Sequence, residues 1–214
     1  MHRPWPLYGQ QKTLMLINIL CCSAFSTQAY SADEEWKFTS KNAYIDRNYD
    51  NPDVKDTGSW SQSVSLFYNS NMHDTPLEIG GTPIQIGANA SAQYAVRLSQ
   101  DKHVANTVLP FDKATQSQAP DYLKYGATLK IGYNKTLLSI GELWLDLPVT
   151  TVDASRQLLT SYWGANLKSQ LNDKLFAEIG RIEKVSPRNE EDFHRFSFTS
   201  KGVTGYSDGL NYID

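Results

Sequence analysis

The chain has 214 residues, a formal net charge of −3 and two cysteines, which are adjacent at positions 21 and 22. So mild an acidity offers no electrostatic footprint for nucleic acid. The cysteine count excludes a disulfide framework, a thiolate nucleophile and a cysteine metal site from everything beyond residue 22.

The amino-terminal stretch reads as a leader. His2, Arg3 and Lys12 make a positive flank, and Leu14 to Phe25 supplies a short apolar run interrupted by Asn18. Small residues at Thr27, Ala29 and Ser31 place cleavage near Ala29 to Ser31. Residues 1–31 are thus expected to be a secretory signal peptide, and residues 32–214 the exported part. Both cysteines fall inside the leader, so the exported part has none. No later apolar run approaches the roughly 20 residues of a spanning helix, so membrane residence would have to come from strands.

The strands follow in chain order. Lys37 to Asp46 is a short candidate. Trp60 to Tyr68 sets Val64, Leu66 and Tyr68 against Ser61, Ser63 and Ser65, with Phe67 out of phase. Ile84 to Ser99 alternates over its whole length, with Ala95 as its lapse. Leu123 to Tyr133 is the cleanest: Leu123, Tyr125, Ala127, Leu129, Ile131 and Tyr133 on one face, Lys124, Gly126, Thr128, Lys130 and Gly132 on the other. A period of two sorts side chains this way only in a strand, and the run matches the roughly 9 to 11 residues that cross a bilayer in a tilted barrel strand. Thr136 to Leu143, Tyr162 to Leu171, Leu175 to Ile182, His194 to Thr204 and a stub at Leu210 to Ile213 complete the set.

Tight polar links at Asn134-Lys135 and at Asn172 to Lys174 alternate with long ones at 100–121, 146–160 and 183–193. That is the rhythm of short periplasmic turns and long outer loops. Trp60, Tyr122, Tyr133, Trp144, Tyr162 and Trp163 lie near strand ends, where aromatic rings favour the membrane interface. The expected fold class is all-β: an outer-membrane antiparallel barrel, here incomplete, with about eight or nine strands.

Little catalytic chemistry is present. Gly205 to Gly209 matches G-x-S-x-G, but the five residues after it are too few for the helix that this elbow requires. His73, His103 and His194 are far apart, and the acidic run Glu190 to Asp192 lacks the spacing of a calcium loop. No enzyme activity, cofactor or metal is expected. The polar faces carry the chemistry instead. Arg97, Lys124, Lys130 and Lys168 sit on the water side of their strands, and Arg156 and Arg188 lie in long loops able to fold inward. Cations along a pore wall favour counter-charged solutes, and arginine pairs carboxylates bidentately.

Asp146-Leu147-Pro148-Val149, Arg156-Gln157-Leu158-Leu159 and Ser186-Pro187-Arg188-Asn189 resemble the OprD family of outer-membrane porins. The similarity runs from Trp60-Ser61-Gln62 through Val108-Leu109-Pro110 to Phe193 to Phe198. It implies a channel of about eighteen strands for basic amino acids and other small carboxylates, often trimeric, inserted into outer-membrane lipid by the barrel-assembly machinery. It also implies an inward-folded loop and a row of wall arginines. Ser186 to Asn189 would lie in or beside that loop, which makes Arg188, then Arg156, the first residues carried over, with Ser186 and Asn189 beside them. Family members are about twice as long, so the chain is expected to be the amino-terminal half of such a barrel. Two other readings fit the alternation: a complete small barrel with a structural or adhesive role, and a soluble periplasmic β-sandwich.

Overall fold

The computed structural model describes residues 13–18, 34–99, 108–112, 114–147, 150–200 and 202–214. Its strands, in chain order, are β1 (Thr13–Asn18), β2 (Glu35–Arg47), β3 (Thr57–Asn69), β4 (His73–Ile79), β5 (Thr82–Ser99), β6 (Phe111–Asp112), β7 (Ser117–Gln118), β8 (Asp121–Tyr133), β9 (Thr136–Leu143), β10 (Ser161–Gln170), β11 (Phe176–Ser186), β12 (His194–Arg195), β13 (Ser197–Ser200), β14 (Val203–Tyr206) and β15 (Leu210–Ile213). One antiparallel sheet dominates, in the order β1-β2-β3-β5-β8-β9-β10-β11-β12. Strand β4 is added on β5 and β15 on β11. The hairpins β6-β7 and β13-β14 stand apart from it.

Burial in this sheet is inverted relative to a water-soluble protein. On β3, Ser59, Ser61, Ser63 and Ser65 are buried while Val64 and Leu66 are exposed. On β8, Lys124, Thr128 and Lys130 are buried while Leu123, Tyr125 and Leu129 are exposed. The register carries each stripe across the wall: Tyr94 faces Leu123, Ala92 faces Tyr125 and Ile86 faces Ile131, whereas Gln93 faces Lys124 and Asn89 faces Thr128. Each large apolar side chain left in water forfeits about 1.5–3 kcal/mol, so a continuous stripe of them calls for hydrocarbon. Among the described residues no second sheet of comparable size covers that face. The sandwich alternative therefore lacks its other half.

Short and long connections alternate as expected. The β8-β9 link is the Asn134-Lys135 turn, with Asn134 at φ 51°, a left-handed conformation that asparagine tolerates better than most residues. At the opposite end lie the long segments 100–120, 144–160 and 187–193, whose described parts fold back onto the polar face. Val108 and Leu109 pack there with Ile45, Ala95, Tyr122 and Leu158. This accounts for Ala95, apolar on a polar face: its neighbour is a folded-in loop, not water. Phe67 is explained likewise, because its ring meets Trp144 edge-on at 5.8 Å.

Several sequence expectations are corrected. Strand β4 lies where none was expected, since the apolar alternation of His73 to Ile79 is confined to Leu77 and Ile79 and follows Pro76. The Gly80-Gly81 turn, at φ 59° and 80°, folds it back on the start of β5 instead. The single strand expected over His194 to Thr204 is broken into β12, β13 and part of β14. Lys184 pairs with Arg195 and Ile182 with Leu210, so residues 196–209 form an excursion from one wall position. Of the six aromatics placed at the interface, Trp60 and Trp163 are exposed on the apolar face. Tyr122 and Tyr162 are buried on the polar face, with hydroxyls bonded to Arg188 O and to the Thr151 backbone. Loop carbonyls give their hydroxyls partners that lipid cannot.

Thr13–Asn18, inside the expected leader, lies on β2 from Thr13↔Arg47 to Asn18↔Asn42; the rest of residues 1–31 is outside the described residues. Cleavage at the expected site would bare that edge of β2, whose backbone groups would need another strand in lipid.

Gly141 re-aims the wall at one point. It sits at φ 126°, and a Cβ there would run into the Ala127 carbonyl. Beyond it Glu142, which regular alternation would set on the face of exposed Ile140, turns instead to the polar face and is buried, with Ser91 Oγ donating to its carboxylate at 2.8 Å. Gly126 leaves the space that its carboxylate occupies. In a full-length channel carrying this segment, Gly141→Ala is expected to destabilise the folded barrel by about 1–3 kcal/mol, read from its urea midpoint. Leu129→Arg on the apolar face should cost about 2–4 kcal/mol if it lies near the bilayer midplane, and Leu129→Phe much less.

Candidate functional site

The site is the polar face and the segment 144–160 that crosses it. Among its described residues, 144–147 and 150–160, this loop has little secondary structure beyond a Leu147–Thr150 bridge, so its buried backbone polar groups need partners from elsewhere. Side chains from four neighbouring strands supply several of them. From β2, Lys41 Nζ donates to Ala154 O and Arg156 O, both at 3.2 Å. On β3, Ser63 Oγ donates to Gln157 O at 3.2 Å, and Gln157 Nε2 donates to Ser61 O at 3.0 Å and Ser61 Oγ at 2.7 Å. Gln93 Oε1 of β5 accepts from Leu159 N at 3.1 Å. From β8, Lys124 Nζ donates to Leu159 O at 2.7 Å. Leu158 and Gln157 are almost wholly buried, so the loop is seated on the wall over its carboxyl-terminal half.

A second inward segment, the chain leaving β11, meets the first. Lys124 Nζ also donates to Ser186 O at 3.0 Å and Pro187 O at 3.1 Å, and Tyr122 Oη donates to Arg188 O at 2.7 Å. Arg188 forms an ion pair with Asp153 and donates to Ser155 Oγ at 2.9 Å. Arg156 Nη1 donates to Ser155 O at 3.1 Å. Two guanidiniums thus converge on Ser155, one of them paired with the Asp153 carboxylate.

The sequence-predicted cations separate into groups. Arg156 and Arg188 are brought together in the loops. Lys124 lies on the polar face as the alternation predicts, but its three donors are each taken by a carbonyl. Lys130 is similarly engaged lower on the wall, with Asn69 Oδ1 at 2.6 Å and Ser70 O at 2.8 Å. Lys168 pairs with Glu178 at 3.5 Å, and Arg97 donates to Gln118 O in the β6-β7 hairpin. Ser186 is fully buried and contributes its carbonyl, while Asn189 is half-buried next to Arg188. Among the described residues no group of three or more His, Cys, Asp or Glu could hold a metal ion. Sequence reasoning missed Lys41, Gln93, Asp153 and Gln157 as parts of this site. The alternation does put Gln93 on the polar face, but nothing in the sequence says that Gln157 meets Ser61 across 96 positions.

Comparison with known proteins agrees with this geometry. The model of the outer membrane porins of the OprD family matches residues 28–214. Porin-like protein GalP of Pseudomonas putida is 26% identical over 208 residues, which are 96% of this chain and 48% of GalP. The crystal structure of OccAB4 from Acinetobacter baumannii is 77% identical with a TM-score of 0.81, over 85% of this chain and 46% of that one. OpdK of Pseudomonas aeruginosa, solved with vanillate, is 26% identical with a TM-score of 0.70, over 85% of this chain and 44% of OpdK. The chain spans about half the length of the relatives it matches. With a sheet apolar on one face and polar on the other, an inward-folded loop and the family model matched over residues 28–214, this chain belongs to the OprD family of outer-membrane porins.

Proposed function

We propose that this chain forms part of the wall and the constriction of a passive outer-membrane channel for small solutes bearing a carboxylate, basic amino acids among them. Export by a leader over residues 1–31 and contact of the apolar face with outer-membrane lipid belong to the same proposal. The observation that carries it is the inward loop with Arg156 and Arg188 converging on Ser155. A solute passing this point meets two guanidiniums and one carboxylate, and a carboxylate on the solute can accept from guanidinium N–H groups that Asp153 and Ser155 do not use. The presence of vanillate, an aromatic carboxylate, in the OpdK structure is consistent with that preference. No bond is made or broken in this process, and the flux follows the solute gradient.

The test uses a full-length channel containing this segment. Arg188→Ala should lower uptake of carboxylate-bearing solutes severalfold more than uptake of neutral solutes of the same size. Asp153→Asn should act in the opposite direction, raising the preference for anions, because it frees Arg188 and adds one positive charge at the constriction. Liposome swelling with matched charged and neutral solutes reads both. Equal effects on the two solute classes would remove the assignment of Arg188 and Asp153 to selectivity.

A further inference from the structure

We infer that Lys124 is a positioning residue that joins the two inward segments into a single shutter and so fixes the aperture; this rests on the channel reading above. The geometry is specific. One ammonium, buried on the inner wall with 3% of the residue exposed, has three donors. They go to Leu159 O in the segment 144–160, and to Ser186 O and Pro187 O at the end of β11. The two segments are more than twenty residues apart in sequence and meet at this nitrogen. Their tips are tied separately, by Arg188 to Asp153 and Ser155.

The other described wall contacts supply no second charged joint of this kind. Lys41, Ser61, Ser63 and Gln93 bond to the segment 144–160, and Tyr122 touches both segments, at Leu158 and at the Arg188 carbonyl, with a single neutral hydroxyl. Without the Lys124 ammonium three carbonyls lose a charged donor at once. The shutter then loosens at its root, where one neutral hydroxyl, that of Tyr122, is left between the segments, with the Arg188–Asp153 pair at their tips. A solute-binding role for Lys124 is poorly served by the same geometry, because all three of its N–H groups are already occupied by the chain. Its positive charge still contributes to the field along the wall, but its geometry is that of a fastener.

Trypsin can read this directly, because Arg156 and Arg188 each lie in one of the two segments. In the folded full-length channel, Lys124→Met should speed cleavage after both Arg156 and Arg188 about tenfold, as local opening becomes easier. Lys41→Met should speed cleavage after Arg156 alone. In planar bilayers the Lys124→Met channel should show increased open-state current noise and a weaker preference for anions over neutral solutes. A folded Lys124→Met barrel that is cleaved at the wild-type rate, or at one site only, overturns the inference. Should that variant not assemble, Lys124→Gln replaces it: a shorter, neutral amide with two donors cannot serve three carbonyls, so wild-type protease resistance with Lys124→Gln equally overturns it. A wild-type channel that passes no current would refute the channel reading itself, while the protease result would still decide whether Lys124 joins the two segments.

Discussion

A backbone that sits in hydrocarbon must pair every N–H and C=O with another part of the chain, and this requirement organises the protein. A sheet meets it along the wall, and its period of two then decides which side chains face oil and which face the interior. Exposed Leu129 and buried Lys130 are adjacent in sequence and on opposite surfaces. Neither placement would be stable in a water-soluble protein, where large apolar side chains bury and lysines almost never do without partners. The same rule makes an edge costly, which is why every described long strand has a neighbour on at least one side and most have one on both.

The interior imposes the complementary demand. Segment 144–160 cannot pair its backbone within a ladder, so it borrows donors and acceptors from the wall. That explains the composition of the inner face better than solvation alone. Water would satisfy serine, glutamine or lysine equally, but a folded-in loop needs particular donors at particular heights. Lys41, Ser63 and Lys124 supply donors for carbonyls, and Gln93 supplies an acceptor for a lone N–H. Hydrogen bonds involving a charged group contribute about 1.5–3 kcal/mol each, so two lysines hold the loop more firmly than neutral side chains would.

How much of this was legible in the sequence follows from the range of the interactions involved. The strands β3, β5 and β8 are visible because alternation is local, and the hairpin at Asn134-Lys135 is visible because turn chemistry is local. Strand β4 is not, since its pairing on β5 is set by the Gly80-Gly81 turn and not by an apolar stripe. Tyr122 and Tyr162 are aromatic residues at strand ends, which is as true of an interface belt as of an interior anchor; only the loop that meets their hydroxyls distinguishes the two. Glu142 is out of reach for a related reason. Its face is decided by the positive φ of Gly141, and a glycine beside a glutamate does not announce which way the chain will turn. At the site, residue type and sidedness of Lys124 were legible, whereas its use was not, because its partners are carbonyls and carbonyls leave no mark in a sequence.

That last distinction bears on how charge on an inner wall should be interpreted. A cation facing a lumen has two potential customers, the passing solute and the chain's own unsatisfied carbonyls, and a single N–H serves one at a time. Lys124 and Lys130 are committed to the chain, and Lys168 to Glu178. Arg156 and Arg188 differ because a guanidinium presents five donors in a planar fork, so holding Ser155 or Asp153 leaves others to offer. On the proposed reading, the two inward segments thus carry the arginines that would meet a solute, and the wall lysines support the segments. The division follows from donor number and geometry: a lysine that has met three carbonyls has nothing left to give, and an arginine that has met one carboxylate has.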